Sequence, residues 1–300
     1  QTMSGGAEDW LYSRRGVSPT LRWSFTVDAP LTDLRMARET GEILAADASG
    51  GLYLIDRRGR MISLIRTRHA IQRVAWADNG VGGVAAIDDR TVVWFDRKLQ
   101  FSWNREVADD VLAVATDPHG THVAVSTADG VTSIFTSANR KVSRFETVRP
   151  LRYLQLLTTE TQIIAAAEHG LVGRYSLSGE QIWAEKLWSN VGDLATSGDG
   201  RNVFLAGFAH GIQSYDGEDG RSRGAFLTEG TVSQVSCGYS KKTLVAATLE
   251  QNLFVLSDAG DLVWNLTMPE DLNRVLMSPL GDWIILGFTS GRIVRLDCAR

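Results

Sequence analysis

Short apolar segments, each running into a tight turn, recur along the chain at an almost constant interval. They open at Leu31 (LTDLRMA), Ile71 (IQRVAWA), Val111 (VLAVATD), Leu151 (LRYLQLL), Val191 (VGDLATS), Val232 (VSQVSCG) and Leu272 (LNRVLMS), so successive starts lie 40, 40, 40, 40, 41 and 40 residues apart. Spacing this regular marks a structural repeat. Each unit divides alike. The first segment ends in a turn rich in Gly, Asp, Asn or Pro, such as DNG at 78–80 or PHG at 118–120. Such residues supply positive φ, or a preset φ, at low cost. A second, more continuously apolar run follows (THVAVSTADG, NVFLAGFAHG, WIILGFTSG), closing on a small or polar residue and Gly, as a hairpin does. A third and a fourth run complete the unit, the fourth carrying Trp in FSWNREV, QIWAEKL and LVWNLTM.

Four short strands every ~40 residues are the signature of a propeller blade. No window combines a 3.6-residue period with helix caps, so almost no helix is expected. The expectation is an all-β, seven-bladed β-propeller of four-stranded antiparallel blades. The seventh unit has only three strands before the chain runs out at Arg300, and LRWSFTVDA, from Leu21, matches the missing fourth. The last blade is therefore expected to take its outer strand from the N-terminal part of the chain, which closes the ring and removes its open edges. Residues 1–20, which carry no repeat, read as a linker or leader, and residues 21–300 as the propeller. Trp10, Leu11 and Tyr12 either dock on the ring or belong against a neighbour.

The third strands end on a bulky residue and an acid at Ile55-Asp56, Phe95-Asp96, Tyr215-Asp216 and Leu296-Asp297. In this the units resemble WD-repeat propellers, although the Gly-His pair of that family is absent. YSLSGEQIW and LSDAGDLVW are similar to the Gly-then-Trp docking repeats of quinoprotein propellers. The resemblance covers about residues 21–300 and implies fold far more than function. Trp23, Trp103, Trp183 and Trp264 share one phase of the repeat, so interblade packing is their expected role. Quinoprotein dehydrogenases would imply a cofactor in the channel. Their vicinal cysteines are missing, because Cys237 and Cys298 fall in different blades, and such enzymes are normally eight-bladed.

Composition narrows the function classes. The net charge is −4, with Lys and Arg scattered, which argues against a nucleic-acid binder. Two cysteines exclude a disulfide-rich scaffold. No apolar run approaches the ~20 residues of a membrane-spanning helix, so no membrane insertion is expected. No leader is visible, which leaves the compartment open with the cytoplasm slightly favoured. The start at Gln1 suits a piece of a longer parent.

No nucleophile elbow, phosphate-binding loop or metal-protease helix motif is present, so no catalytic, metal or cofactor site is expected. Candidate binding residues lie on the face formed by the fourth-to-first connections and the second-to-third turns. The third inner-strand positions give Asp33, Arg73, Ala113, Tyr153, Asp193, Gln234 and Arg274. Arg274, Asp33 and Arg73 are consecutive around the ring, which suits either a salt-bridge ladder along the channel or a recognition surface. His169 and His210 occupy matching turns of adjacent blades, either facing a shared groove or serving the turns alone. Trp188 breaks the Trp phase, so it is either a recognition hot spot or a residue folded back onto blade five. The leading expectation is a non-catalytic scaffold for a protein or peptide partner. The alternative is a small-molecule-binding or enzymatic propeller that uses the channel mouth.

Overall fold

The computed structural model describes residues 9–13, 15–240 and 243–298. Their strands form seven four-stranded antiparallel sheets. Blade one consists of Leu31–Met36, Ile43–Asp47, Gly51–Ile55 and Met61–Arg66. Blades two to six repeat this order, from Ile71, Val111, Tyr153, Asp193 and Val232. In blade seven, Leu272–Met277, Trp283–Phe288 and Arg292–Asp297 are completed by Thr20–Thr26, which pairs antiparallel with Arg292–Asp297. The helix content is one 3-10 turn, Asp9–Leu11.

The second strand of a blade has a neighbouring blade on each face. It is therefore buried on both sides, and Ile43–Asp47, Gly82–Ile87 and Asn202–Ala206 are buried throughout. That two-sided burial is why these strands read as continuous apolar runs rather than alternating ones. Outer strands alternate instead, as in Phe101–Glu106 and Lys141–Glu146. Seven apolar clusters, each joining two adjacent blades, form the core.

Outer-strand tryptophans lock three of the blades to the next. Trp23, Trp103 and Trp183 donate their indole N–H to the backbone oxygens of Arg57, Ser137 and Gly217, 34 residues on, in the third-to-fourth turn of the following blade. The turn glycines let the rings approach. A Cβ at Gly220, where φ is +77°, would lie 2.6 Å from the Trp183 ring. Gly220→Ala is therefore expected to cost about 1–3 kcal/mol from backbone strain, plus the displacement of Trp183. Gly224→Ala, at φ +97° with open space around it, carries the strain alone. Urea denaturation should show the larger loss for Gly220→Ala, and equal losses would remove the docking role of the glycine.

The acids that end the third strands have a turn role. Asp56 Oδ1 accepts the backbone N–H groups of Arg58 and Arg60, and Asp96 Oδ1 those of Lys98 and Gln100. Ahead of the ring, Trp10 meets Phe288 edge-on at 6.1 Å, and Leu11 is buried in the cluster between blades six and seven. The Asn265 backbone N–H donates to Ser13 Oγ at 3.2 Å. Trp10 and Leu11 thus dock on the ring, while Tyr12 is exposed.

Candidate functional site: the central channel and one face of the ring

The seven inner strands have no strand partner on the channel side. Their outward N–H and C=O groups need partners from side chains or water. In five blades the inner strand carries a register shift between its first and third residues, at Leu31/Asp33, Ile71/Arg73, Val111/Ala113, Val232/Gln234 and Leu272/Arg274. A bulge of this kind re-aims side chains. Here residues at positions two and three both reach the next blade.

The result is a recurring stitch between blades. Asp33 Oδ2 accepts the Val74 N–H at 3.0 Å, Asp193 Oδ2 the Val235 N–H at 3.1 Å, and Gln234 Oε1 the Val275 N–H at 2.9 Å. Carbonyl oxygens are met as well: Thr32 Oγ1 donates to Ile71 at 2.6 Å, Arg35 Nε to Val74 at 3.1 Å, and Asn273 Nδ2 to Leu31 at 3.0 Å.

Charge is layered onto this stitching. Asp33 is fully buried, 3.0 Å from an Arg274 nitrogen and 3.5 Å from one of Arg35. Arg274 also reaches Asp193 at 3.6 Å. Burial alone would raise the Asp33 carboxyl, but Arg35, Arg274 and the Val74 N–H outweigh it and hold the group below the ordinary carboxylate value. Asp193 goes the other way: burial dominates, Arg274 offsets it only in part, and the carboxyl is raised. Burial, then repulsion from Arg274, pulls Arg35 down to about 10. The Tyr153 hydroxyl donates to Val191 O at 3.3 Å, and burial followed by the Asp193 charge pushes it up to about 12. At the opposite end of the channel, Arg38 pairs with Asp78 at 2.8 Å and lies over the Tyr239 ring at 5.3 Å. These inner strands enclose a cavity of about 500 Å³.

The channel therefore brings together the third-position residues singled out by sequence, with Asp33, Arg73, Tyr153, Asp193, Gln234 and Arg274 supplying its polar groups. Arg152, Arg35 and the Arg38–Asp78 pair join them without having been singled out. Their signal was a charged residue on or beside an inner strand away from position three, which a reading confined to that position passes over. His169 and His210 sit in exposed second-to-third turns of adjacent blades. Among the described residues neither ring makes a hydrogen bond, and no group of three His, Cys, Asp or Glu side chains is placed to hold a metal ion. Cys237 and Cys298 are free, and burial pushes both thiols up to about 12.

On the face of the fourth-to-first connections, two regions differ. From blades seven to three, exposed polar groups pair off: Arg66 with Asp28, Arg90 with Asp110 at 2.9 Å, and the His69 ring with Asp88 at 3.2 Å. From blades three to six, large apolar side chains stand exposed instead: Val148, Trp188, Leu227 and Leu249. Trp188 is fully exposed and does not fold back onto blade five. The opposite face exposes Val81 and Leu280.

The chain is a seven-bladed β-propeller, its ring closed by the N-terminal strand of blade seven. It is similar in structure to the β-propeller domain of Cps50 (Swd1) from Myceliophteria thermophila, with a TM-score of 0.78 at 13% identity over 94% of this chain and 100% of that one. No family model matches the chain, and no curated protein sequence matches it significantly. No helix among the described residues is long and apolar enough to cross a membrane.

Proposed function

We propose that this propeller is a non-catalytic scaffold that binds a partner protein on the face carrying the fourth-to-first connections. The observation that carries the reading is the apolar arc over blades three to six, with a fully exposed Trp188 in the connection from blade four to blade five. Large apolar side chains held in water on rigid connections are costly to leave uncovered, and exposed patches of them mark interaction sites. Tryptophan is the side chain most enriched at binding hot spots, since it brings a large area at low entropic cost. The partner is a protein presenting an apolar anchor that covers Trp188 and Val148, flanked by groups complementary to the nearby guanidinium of Arg149.

The test isolates a partner on the intact ring and then measures its affinity in purified form. Trp188→Ala is expected to weaken binding by about 2 kcal/mol, roughly 30-fold in Kd. Leu280→Ala, on the opposite face, should bind as the wild type does. If Leu280→Ala loses the partner and Trp188→Ala keeps it, the docking face is the other one and this reading fails.

A further inference from the structure

Blade three interrupts the channel's polar lining. Ala113 is the one third-position residue of the seven without a polar side chain. Arg73 from blade two and Arg152 from blade four reach into the space it leaves. Both donate to the same acceptor, the Leu112 carbonyl oxygen, at 3.3 and 3.1 Å. Two guanidinium groups are thereby held side by side on one neutral oxygen. Among the described residues neither has a carboxylate within 4.0 Å, in contrast to Arg35 and Arg274, which have Asp33 or Asp193.

Four further observations point the same way. Both arginines are half-buried and line the cavity of about 500 Å³, which is open enough for a small molecule. The Nε of Arg274 is buried without a hydrogen-bond partner. Five arginines face three aspartates around this channel, an excess of two positive charges, and only the Arg38–Asp78 pair is self-contained. Burial, and then the charge of Arg152, holds Arg73 below the usual arginine range, as expected of cations that lack a counter-charge.

We propose that the channel mouth over blade three binds a compact oxyanion of charge near −2, of phosphate or paired-carboxylate chemistry, gripped by Arg73 and Arg152. Guanidinium groups suit this ligand because their planar donor edges match the spacing of oxyanion oxygens. The anion would supply the counter-charge that the wall lacks. The site goes beyond the docking face and does not depend on it, since Trp188 lies outside the channel lining.

The experiment is thermal denaturation of the whole chain with inorganic phosphate, ionic strength held constant with sodium chloride. Tm should rise with dose, as it does when a ligand binds only the folded state. The apparent affinity should fall roughly tenfold or more in Arg152→Gln and in Arg73→Gln, since a charge-assisted contact is lost. Arg66→Gln, which removes an exposed ion pair on the same face, and Trp188→Ala should both respond as the wild type. A wild type without a saturable rise, or a rise that survives in both channel variants, overturns the site. If both channel variants fail to fold, calorimetric titration of the wild type decides, and the absence of saturable heat overturns the proposal. A second arm compares inorganic phosphate with N-acetyl-phosphoserine amide. Tighter binding of the free ion assigns the site to a small solute, and tighter binding of the amide to a side chain of a bound protein.

Discussion

A chain lacking residues 1–26 is expected to lose cooperative folding, whereas one lacking residues 1–19 keeps it. The difference is one strand, Thr20–Thr26, which pairs with Arg292–Asp297 from Thr20↔Asp297 to Thr26↔Arg292, with one register shift between Leu21 and Trp23. Trp23 and Phe25 from this strand pack into the cluster between blades seven and one, and Trp23 Nε1 donates to Arg57 O at 3.0 Å. Both aromatics are half-buried, so each contributes part of the about 1.5–3 kcal/mol of a fully buried side chain. With the strand's ladder lost as well, the deficit should be several kcal/mol, a large part of the ~5–15 kcal/mol that holds a typical domain folded. The exposed edge of Arg292–Asp297, with Ile293, Val294 and Leu296, would then offer itself to other chains. Circular dichroism melts and size-exclusion chromatography read both effects. A shortened chain that stays monomeric and melts sharply at the parent midpoint would show that the ring does not need this strand. A synthetic peptide of residues 20–29, added to the truncated chain, should restore part of the midpoint.

The same strand shows what could be read in advance. The repeat is legible because the propeller buries its second strands on both faces, so each blade prints one apolar run at a fixed phase. A missing fourth run after Asp297 and a spare one at Leu21 are then enough to infer closure. The channel was less legible. Asp33, Arg73, Tyr153 and Arg274 stand at one phase and could be named, but Arg152 stands one position earlier. It stands just ahead of the inner strand Tyr153–Leu156, where its backbone N–H donates to Ala166 O at 2.9 Å and its guanidinium reaches the Leu112 carbonyl of the preceding blade. A reading confined to the third position has no mark for it. Val148, Leu227 and Leu249 were passed over for a related reason: connections have no period, so a single apolar residue there looks like any other. Trp188 drew notice only because it broke the spacing of its fellows. The acids closing the third strands were legible as a resemblance to WD repeats, while their part in the turns, at Asp56 and Asp96, required the backbone geometry.

Asp33 and Asp193 occupy the same position in blades one and five and make the same stitch to the next blade, yet their removal should have unequal consequences. Asp33 answers two arginines, at 3.0 and 3.5 Å, and Asp193 one at 3.6 Å. Asp33→Asn leaves Arg35 and Arg274 without their closest counter-charge in a buried setting, and breaking such a pair costs about 3–5 kcal/mol. Asp193→Asn removes a carboxylate whose charge burial already disfavours, so its cost should stay near that of one hydrogen bond, about 1 kcal/mol. The pH dependence separates the two further. The folded-state value of Asp33 is depressed, so its contribution is fully present above the unfolded value of about 4 and is lost as pH falls through the folded value below it. The deficit of Asp33→Asn should therefore shrink progressively below about pH 4. Asp193 is raised, so its ionised form weighs against folding at neutral pH, and acidification relieves that penalty in the wild type but not in Asp193→Asn. Urea midpoints measured from pH 7 down to pH 3 read both trends. Equal losses in the two variants at pH 7, moving in parallel with pH, would mean that backbone stitching alone, and not the arginine charges, sets the worth of these carboxylates.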